Sequence, residues 1–464
     1  MSESKQIAAK RRNRPAWGSY PAFLLAAVGS SIGLGNVWKF PYELGTHGGT
    51  FLYVYIACVL LVAFPLILAE LWIGRVGRAN PVHGIRKIAS EFRYSNLWQS
   101  IGWLGILTSF LIFSFYSVVA SWILFYVMKS LSGAFVDVPA EIVQNSFGAL
   151  LRNTDQMLIW HSVFVLMVVL VLSREMRTGL ELAVRLLMPV FLGFMAWLTL
   201  YSIEVGDYRQ AYEFMFTFDP AELSAALFVS AMTQALFSIG IGIGILIMYG
   251  AYLSKGRPLF LGAGAIMLFD IAIALAMGVA IFSIVFAFGM SPDSGFGLIF
   301  ETLPVAFAQL PENGEWWASA FFVLLIMAAL TSGFALLEPS IALIVDSFSI
   351  SRRIAAWIVG ALAWCTGLLS IYSFTDLRFN FFYFGEERAN GFFDLFNILT
   401  THVLLPITAL LIAIFAGWVM TASDGLDGSR TRPFLSYRPW RFCVRFVTPL
   451  IIIAVLLLVL FFPN

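Results

Sequence analysis

The stretch that decides the fold reads Gly29-Ser30-Ser31-Ile32-Gly33-Leu34-Gly35-Asn36-Val37-Trp38-Lys39-Phe40-Pro41. It lies inside the first long hydrophobic segment, yet it contains glycines, serines and an asparagine. Glycine weakens a helix interior by about 1 kcal/mol relative to alanine. Irregular backbone at membrane depth persists only against protein or a water-filled cavity. The pattern predicts a helix interrupted here, with carbonyl groups freed to bind something. Close helix packing through small residues is the alternative.

The composition around this stretch is that of an integral membrane protein. The chain has 464 residues, of which 60% are hydrophobic and 12% charged, whereas soluble domains carry about 25% charged residues. The net charge of +1 and the lack of a basic arm give no sign of nucleic-acid binding. Cys58, Cys365 and Cys443 show no metal-ligand spacing and predict no disulfide framework.

Long apolar segments recur along the whole chain. Crossing a bilayer takes about 20 mostly apolar residues. The segments that qualify are 17–41, 49–74, 98–130, 157–173, 180–204, 224–252, 260–289, 316–346, 352–374, 392–420 and 442–462. They divide the chain into a cytoplasmic N-terminal arm (1–16), a first five-helix repeat (17–204), a second five-helix repeat (205–421), and a cytoplasmic loop with an eleventh helix (422–464).

The cations are distributed unevenly between the two sides of these segments. Of the 28 lysines and arginines, 22 fall on the side of the N-terminus. Cytoplasmic loops carry the excess of Lys and Arg. The N-terminus is therefore expected in the cytoplasm and the C-terminus outside, in the cell (inner) membrane.

A second interrupted segment lies in the matching place of the second half. The sixth apolar segment contains Phe237-Ser238-Ile239-Gly240-Ile241-Gly242-Ile243-Gly244. Two glycine-interrupted spans in corresponding positions of two halves are typical of a transporter binding site. Five segments separate the two starts, which favours a 5+5 inverted repeat followed by one extra helix.

Polar side chains within the apolar segments are candidates for function, because a buried polar group is costly unless it is paired or bound. They are Ser30, Ser31, Asn36, Tyr116, Gln234, Ser238, Asp270, Thr331 and Ser332. Oxygen ligands suit a hard cation. Two alternatives stay open. The first is that Asp270 is a protonated carboxyl or a proton carrier. The second is that the Thr331 and Ser332 hydroxyls form hydrogen bonds with carbonyls of their own helix.

The motifs above resemble the opening of the neurotransmitter:sodium symporter family. The likeness continues through Gly48-Gly49, Pro65, Glu70 and Gly74-Arg75, and it covers the chain from about Trp17 to Trp418. It implies the leucine-transporter fold in the prokaryotic branch of eleven-helix amino-acid transporters. That is an all-α integral membrane protein with eleven transmembrane helices, in which helices 1 and 6 of a 5+5 inverted repeat are unwound at mid-membrane.

The resemblance implies two sodium sites. The groups expected at the first are the Ser31 carbonyl, the Asn36 and Asp270 side chains, Ser238 and the substrate carboxylate. Those expected at the second are the carbonyls of Gly29, Ile32 and Ala328 and the hydroxyls of Thr331 and Ser332. Because the substrate carboxylate would help to bind the first ion, each would complete the site of the other.

The resemblance also implies an amino-acid site between the two interruptions. Its carboxylate and ammonium group are expected to meet Ser31, Leu34, Gly35, Tyr116, Phe237 and Ser238. Its side chain is expected to face Ile112, Gly240, Ile243, Ser332 and Leu336. Members that carry amines have an aspartate at Gly33, so the glycine implies a substrate with its own carboxylate. Gly240 and Ile243 replace residues that are bulkier or polar in leucine-selective relatives, which predicts a hydrophobic or aromatic amino acid.

Chloride dependence also follows from the likeness. Tyr55, Gln234 and Ser238 match three of the four chloride ligands of the family, but the fourth position is Ala274. Since Asp270 places a fixed negative charge nearby, chloride independence is expected.

The positions that match the family's gates depart from its pattern in part. At the inner gate Arg14 and Asp346 are expected to pair, with Trp17 beneath, Tyr252 beside, and Glu338 in place of a glutamine. At the outer gate Lys39 and Asn397 replace the family's ion pair, so Lys39 is expected to pair with Asp394 one turn away. The Gly179–Pro189 spacing resembles a motif of helix unwinding, with a proline kink as the alternative.

Together these features predict a sodium-coupled symporter of amino acids that works by alternating access, not an enzyme. A channel should show rings of pore-lining polar residues, and an enzyme a nucleophile–base or metal cluster. The alternative is a proton-coupled or sodium-independent amino-acid carrier or binder of the same fold. The expected partners are the amino acid, sodium ions and the lipid bilayer. No obligate protein partner is evident.

Overall fold

The computed structural model describes residues 16–135, 138–254, 256–292, 297–309, 314–383, 386–420 and 437–461. These residues are mostly helical. Nine helices in this part of the chain are long and apolar enough to cross a membrane. They are α3 (Gly49–Gly77), α5 (Asn96–Leu131), α7 (Thr154–Leu172), α8 (Arg177–Val205), α12 (Leu259–Ala287), α14 (Gly314–Phe348), α15 (Arg352–Tyr372), α16 (Gly391–Val419) and α17 (Tyr437–Val459).

The remaining helices are shorter and connect or interrupt the long ones. They are α1 (Tyr20–Ser31), α2 (Gly35–His47), α4 (Pro81–Glu91), α6 (Ala140–Leu151), α9 (Tyr208–Phe216), α10 (Ala225–Ile239), α11 (Ile245–Ala251) and α13 (Leu298–Ala308). Helix α4 shows how such a start is encoded. Its N-cap Asn80 accepts a hydrogen bond from the His83 amide at 3.1 Å, and Pro81 occupies the first turn.

Helices α1 and α2 together satisfy the length and composition of a further span, but they are bent by 47° at their break. Counting this pair as one span raises the number to ten. The multi-span helical architecture predicted from the sequence is confirmed. The count of eleven and the division into an arm, two repeats and a last helix stay predictions.

The layers of the bundle differ sharply in burial. In the most apolar 18-residue window, 89% of α14 and 83% of α5 is buried by other protein segments, against 28% for α8 and 28% for α17. Helices α5 and α14 therefore form the centre of the bundle, and α8 and α17 lie at its edge. This centre is where the interrupted pairs α1–α2 and α10–α11 meet the continuous helices.

One element departs from the all-α expectation. Strands β1 (Phe381–Tyr383) and β2 (Glu386–Arg388) form an antiparallel hairpin in which Phe381 pairs with Arg388. Aromatic residues favour strands because they pack well on a pleated surface. The hairpin is held to α16, since the Tyr383 hydroxyl lies 2.9 Å from His402 Nδ1 and the two rings stack.

Candidate functional site

The site begins with two breaks in the backbone. Helix α1 ends at Ser31, Ile32 has φ −86° and ψ 84°, and α2 begins at Gly35. Helix α10 ends at Ile239, and α11 begins at Ile245. Between them Gly240, Gly242 and Gly244 have φ of 75°, 82° and 77°. Only glycine adopts this left-handed region without a steric cost, which explains why three glycines alternate here.

Side chains from elsewhere form hydrogen bonds with backbone groups at both breaks. Glu70 of α3 is fully buried, and its Oε1 accepts a hydrogen bond from the Gly242 amide at 2.7 Å. Gln234 Nε2 donates to the Gly35 carbonyl at 2.8 Å. Buried backbone without such partners is strongly destabilising. The sequence analysis had Glu70 only as part of a motif, and its contact with the second break was missed.

A cluster of oxygen ligands surrounds the carboxylate of Asp270 on α12, which is fully buried. Asn36 Nδ2 donates to its Oδ1 at 2.8 Å. The hydroxyls of Tyr55 and Ser238 donate to its Oδ2 at 2.7 and 3.2 Å. The described residues place no Lys or Arg within ion-pair distance of it. A buried carboxylate needs a counter-ion or a proton to offset the cost of burial.

Two buried oxygens beside this cluster have no hydrogen-bond partner among the described residues. They are Asn36 Oδ1 and Gln234 Oε1. Orphaned buried oxygens near an unpaired carboxylate fit a hard cation, which accepts such ligands. Of the residues predicted for the first sodium, Asn36, Ser238 and Asp270 therefore lie in one cluster. Ser31 is fully buried at the end of α1, where its hydroxyl donates to the Val28 carbonyl at 2.9 Å.

The residues predicted for the second sodium lie where α1 meets α14. Ser332 Oγ donates to the Ser30 carbonyl at 3.3 Å and so bridges the two helices. Thr331 Oγ1 donates to the Ala328 carbonyl at 3.0 Å within α14. Gly29 and Ile32 are buried on the α1 side. Each hydroxyl oxygen keeps lone pairs after donating its hydrogen, so these bonds leave the oxygens able to coordinate a cation.

A cavity lies between the two breaks. Of the twelve residues predicted to bind substrate, all but Ser31 line it: Gly33, Leu34, Gly35, Ile112, Tyr116, Phe237, Ser238, Gly240, Ile243, Ser332 and Leu336. The structure adds Ser30, Ile245 and Leu405, which the sequence analysis missed. Ser30 lies near the end of α1, Ile245 begins α11 and Leu405 belongs to α16, so the three reach the wall from three different helices.

Polar groups form part of the cavity wall. The Tyr116 hydroxyl donates to the Ala329 carbonyl at 3.2 Å. Helix α2 starts at this wall, and the first amides of a helix lack acceptors within it. A Cβ on Gly33 would lie 3.0 Å from Ser332 Cβ and 3.4 Å from the Tyr116 hydroxyl. Packing therefore leaves no room for a side chain at position 33.

The predicted chloride positions lie around the same carboxylate. Tyr55 and Ser238 donate to Asp270, and Gln234 lies beside them through its bond to Gly35. Ala274 is fully buried one turn after Asp270 on α12. The carboxylate thus occupies the donors that would otherwise be free to bind an anion.

Several bonds close the end of the bundle at the start of α1. Trp17 is buried; its Nε1 donates to the Tyr249 carbonyl at 3.1 Å and its amide to the Tyr252 carbonyl at 3.2 Å. From the other side, Glu181 of α8 accepts from the Gly18 amide at 2.9 Å. Arg177 Nε, also on α8, donates to the Ala16 carbonyl at 3.1 Å. Trp17 and Tyr252, two of the predicted gate residues, thus lie in contact.

One ion pair at this end was not predicted, and the predicted pair of Arg14 with Asp346 stays a prediction. Arg14 lies outside the described residues, and Asp346 accepts a hydrogen bond from Asn80 Nδ2 at 2.7 Å. Among the described residues, Arg352 at the start of α15 forms a two-pronged ion pair with the fully buried Glu338. The Tyr252 hydroxyl also donates to Glu338, at 2.7 Å. The exchange of glutamine for Glu338 was noticed in the sequence, but its partner Arg352 was not.

At the opposite end, Lys39 and Asp394 do not form an ion pair in the described part of the chain. Lys39 Nζ lies 4.9 Å from the centre of the Phe237 ring, a cation–π contact above the cavity. The Asp394 carboxylate accepts from the Asn390 amide at 3.1 Å, at the start of α16. Helix α8 is helical from Arg177 to Val205 with Pro189 inside it, so no unwound stretch between Gly179 and Pro189 is seen.

Known proteins of one family match nearly the whole length of this chain. A family model described as the sodium:neurotransmitter symporter family matches residues 14–147 and 141–463. An uncharacterised sodium-dependent transporter, YhdH, of Bacillus subtilis is 32% identical over 462 residues, which cover 98% of both chains. The sodium-dependent dopamine transporter of Bos taurus is 26% identical and matches 97% of this chain and 69% of its own length.

Among solved structures, the crystal structure of MhsT in complex with L-phenylalanine superposes with a TM-score of 0.87. The identity is 34%, and the match covers 96% of this chain and 99% of that one. The architecture is therefore shared from end to end.

Proposed function

The chain belongs to the sodium:neurotransmitter symporter family, and from this premise we propose that it carries an amino acid across the membrane together with sodium by alternating access. Members of this family are sodium-dependent transporters and not enzymes. One observation carries the proposal further than the family does. Ser238 lines the cavity between the breaks and also donates to the buried Asp270, so the cavity and the oxygen cluster share a wall.

An amino acid fits the polar groups of this cavity wall. Its carboxylate would meet the amides of Leu34 and Gly35 at the start of α2 and the Tyr116 hydroxyl, because a helix N-terminus favours an anion. Its ammonium group would meet the carbonyls of Ser31, Phe237 and Ser238. The neighbour MhsT, which was solved with L-phenylalanine, supports this class of substrate.

A hydrophobic or aromatic side chain fits the apolar residues of this wall. Ile112, Ile243 and Leu336 line the cavity, and none of them offers a polar side-chain atom. A polar substrate side chain would lose its hydrogen bonds to water there without replacement, which costs several kcal/mol on scales that allow no compensation.

Two sodium ions are proposed as the driving cargo. The first would lie among Asn36, Ser238 and Asp270 with the Ser31 carbonyl, and the second among Gly29, Ile32, Ala328, Thr331 and Ser332. Orphaned Asn36 Oδ1 supports the first site, and the bridge from Ser332 to Ser30 supports the second. Because the substrate carboxylate would neighbour the first ion, each stabilises the other when both are bound, which couples their movement.

The carboxylate of Asp270 also supports transport without chloride. When it is ionised, it places a negative charge among donors that an anion would otherwise need. We further propose eleven transmembrane helices in a 5+5 inverted repeat, unwound at helices 1 and 6, with the N-terminus in the cytoplasm. The 47° bend between α1 and α2 and the glycine break before α11 support the unwound helices.

Uptake into proteoliposomes tests the proposal. The purified protein is given each of the twenty radiolabelled amino acids in sodium chloride, choline chloride and sodium gluconate. We expect uptake of hydrophobic amino acids in both sodium salts and none in choline. Equal uptake in choline would reject sodium coupling, and loss of uptake in gluconate would reject chloride independence.

A proton-coupled carrier is the second candidate, and Asp270 favours it because all its observed partners are neutral donors. The same vesicles distinguish the two. Uptake driven by an inward proton gradient in the absence of sodium would favour this alternative, whereas a gradient that drives nothing without sodium would reject it.

A further inference from the structure

We propose that Leu405 of α16 limits the size of the substrate side chain, an inference that rests on the proposed amino-acid site. Leu405 is fully buried, and it is the residue of α16 that lines the cavity. It contributes an apolar side chain to the same cavity wall as Ile112, Ile243 and Leu336. The sequence analysis placed no residue of this helix near the substrate.

The backbone holds Leu405 in place against the second break. A Cβ built on Gly242 would lie 3.0 Å from the Leu405 carbonyl oxygen and 3.5 Å from its Cδ2. Helix α16 therefore touches the glycine segment directly, with no side chain between them. A large substrate cannot push Leu405 away without also displacing the segment that carries Gly240 and Ile243.

A local irregularity in α16 sets which residue faces the cavity. Residues Leu399–Leu404 form a π-helical turn, and the Leu405 amide donates to the carbonyl of Thr400, five residues earlier. Such a turn inserts one residue relative to a regular α-helix, so it shifts every following side chain around the axis. Pro406 follows at once and has no amide hydrogen of its own.

These contacts make Leu405 a determinant of selectivity that differs from the polar residues of the wall. Its side chain meets the end of the substrate and not the carboxylate or ammonium group. A change of one methylene in an apolar pocket shifts discrimination between substrates by about 10- to 200-fold. Shortening Leu405 should therefore favour larger side chains, and lengthening it should favour smaller ones.

The test compares the ratio of two affinities in the purified full-length protein. Sodium-dependent binding of a radiolabelled hydrophobic amino acid is displaced by leucine and by tryptophan in the unmodified protein, Leu405→Ala and Leu405→Phe. We expect the preference for tryptophan over leucine to rise about tenfold in Leu405→Ala and to fall in Leu405→Phe. Ile412→Ala is the matched control, because Ile412 is equally buried in the same helix but does not line the cavity.

A purely structural role would lower both affinities alike and leave their ratio unchanged, as in Ile412→Ala. An unchanged ratio in both Leu405 variants would overturn the inference and leave the proposed function intact. If the unmodified protein bound none of the twenty amino acids, the proposed function would be rejected, and this inference with it.

Discussion

Asp270 is the buried carboxylate around which the polar groups of the site are arranged. It is buried, it accepts three hydrogen bonds from neutral side chains, and the cavity lies beyond Ser238. Such a group demands a positive partner. Sodium, a proton or both in alternation satisfy that demand, and each choice predicts a different response to substitution.

Replacing Asp270 by asparagine keeps the size of the side chain and removes its charge. We expect sodium-dependent binding in gluconate to weaken at least about tenfold, since a buried charge contributes more than about 1.4 kcal/mol to cation binding. Chloride should restore part of the affinity, because an anion can then supply the missing charge. Equilibrium binding in sodium gluconate and sodium chloride measures both effects.

Asp394→Asn is the control for this change, because that carboxylate accepts from the Asn390 amide and does not line the cavity. The affinity of Asp394→Asn in sodium-dependent binding should be the same in gluconate and in chloride. An Asp270→Asn protein with unchanged sodium affinity in gluconate would contradict the role given to the carboxylate.

The Thr331 hydroxyl gives a second test at this scale. Thr331→Val preserves the shape and removes the oxygen, so the sodium concentration needed for half-maximal binding should rise about tenfold. Thr331→Ser should stay close to the unmodified protein. Thr408→Val is the control, at a buried threonine of α16 whose hydroxyl has no hydrogen-bond partner among the described residues. Equal sodium dependence in Thr331→Val and Thr408→Val would remove Thr331 from the ion site.

At the scale of the element, the two breaks depend on glycine and on borrowed hydrogen bonds. Gly242 has φ 82°, its amide donates to Glu70, and its Cα faces the Leu405 carbonyl closely. The backbone conformation of the segment between α10 and α11 is therefore fixed by these contacts, although the segment lies outside both helices.

Gly242→Ala should consequently destabilise the protein by about 1–3 kcal/mol, because the left-handed conformation and the close approach both oppose a Cβ. Gly264→Ala provides the contrast. Gly264 lies within α12, and a Cβ at this position would meet open space. Alanine there should be neutral or stabilising by about 0.5–1 kcal/mol. Thermal unfolding in detergent measures both variants, and similar melting temperatures would contradict the argument.

Prediction from the sequence succeeded for the features that local composition encodes. Glycines and serines in apolar surroundings pointed to the stretches at 29–36 and 237–244, and most of the cavity residues lie there. It failed for Glu70, Leu405 and Arg352, because each acts through a contact between distant segments. Glu70 is 172 residues from its partner Gly242. Neither hydrophobic periodicity nor a sequence motif indicates which residue of one helix contacts which residue of another.

At the scale of the whole molecule, the ion pair between Glu338 and Arg352 joins the central helix α14 to α15. Glu338 is fully buried and also accepts from Tyr252, the residue that follows α11. Three helices thus share one carboxylate at the end of the bundle where α1 begins.

Arg352→Ala should destabilise the protein by about 3–5 kcal/mol, since it leaves a buried charge without its partner. Adding Glu338→Gln to that variant should recover most of the loss, because no charge then remains. A double-mutant cycle on thermal unfolding measures the coupling, with the exposed neighbour Arg353→Ala as control. Additive effects of the two changes would contradict the coupling.

Residues 16–18 are held from two directions, by Arg177 and Glu181 of α8 and by the carbonyls of Tyr249 and Tyr252 around α11. Four hydrogen bonds at about 1 kcal/mol each stabilise the attachment of this end of α1 by about 4 kcal/mol. At equilibrium, these residues would therefore be released in about one molecule in a thousand. Helix α8 holds Ala16 and Gly18, and the two carbonyls hold Trp17 between them, so breaking one bond alone frees little of the chain. Residues 16–18 should therefore be released together, and they should be accessible to a protease only when all four hydrogen bonds are broken.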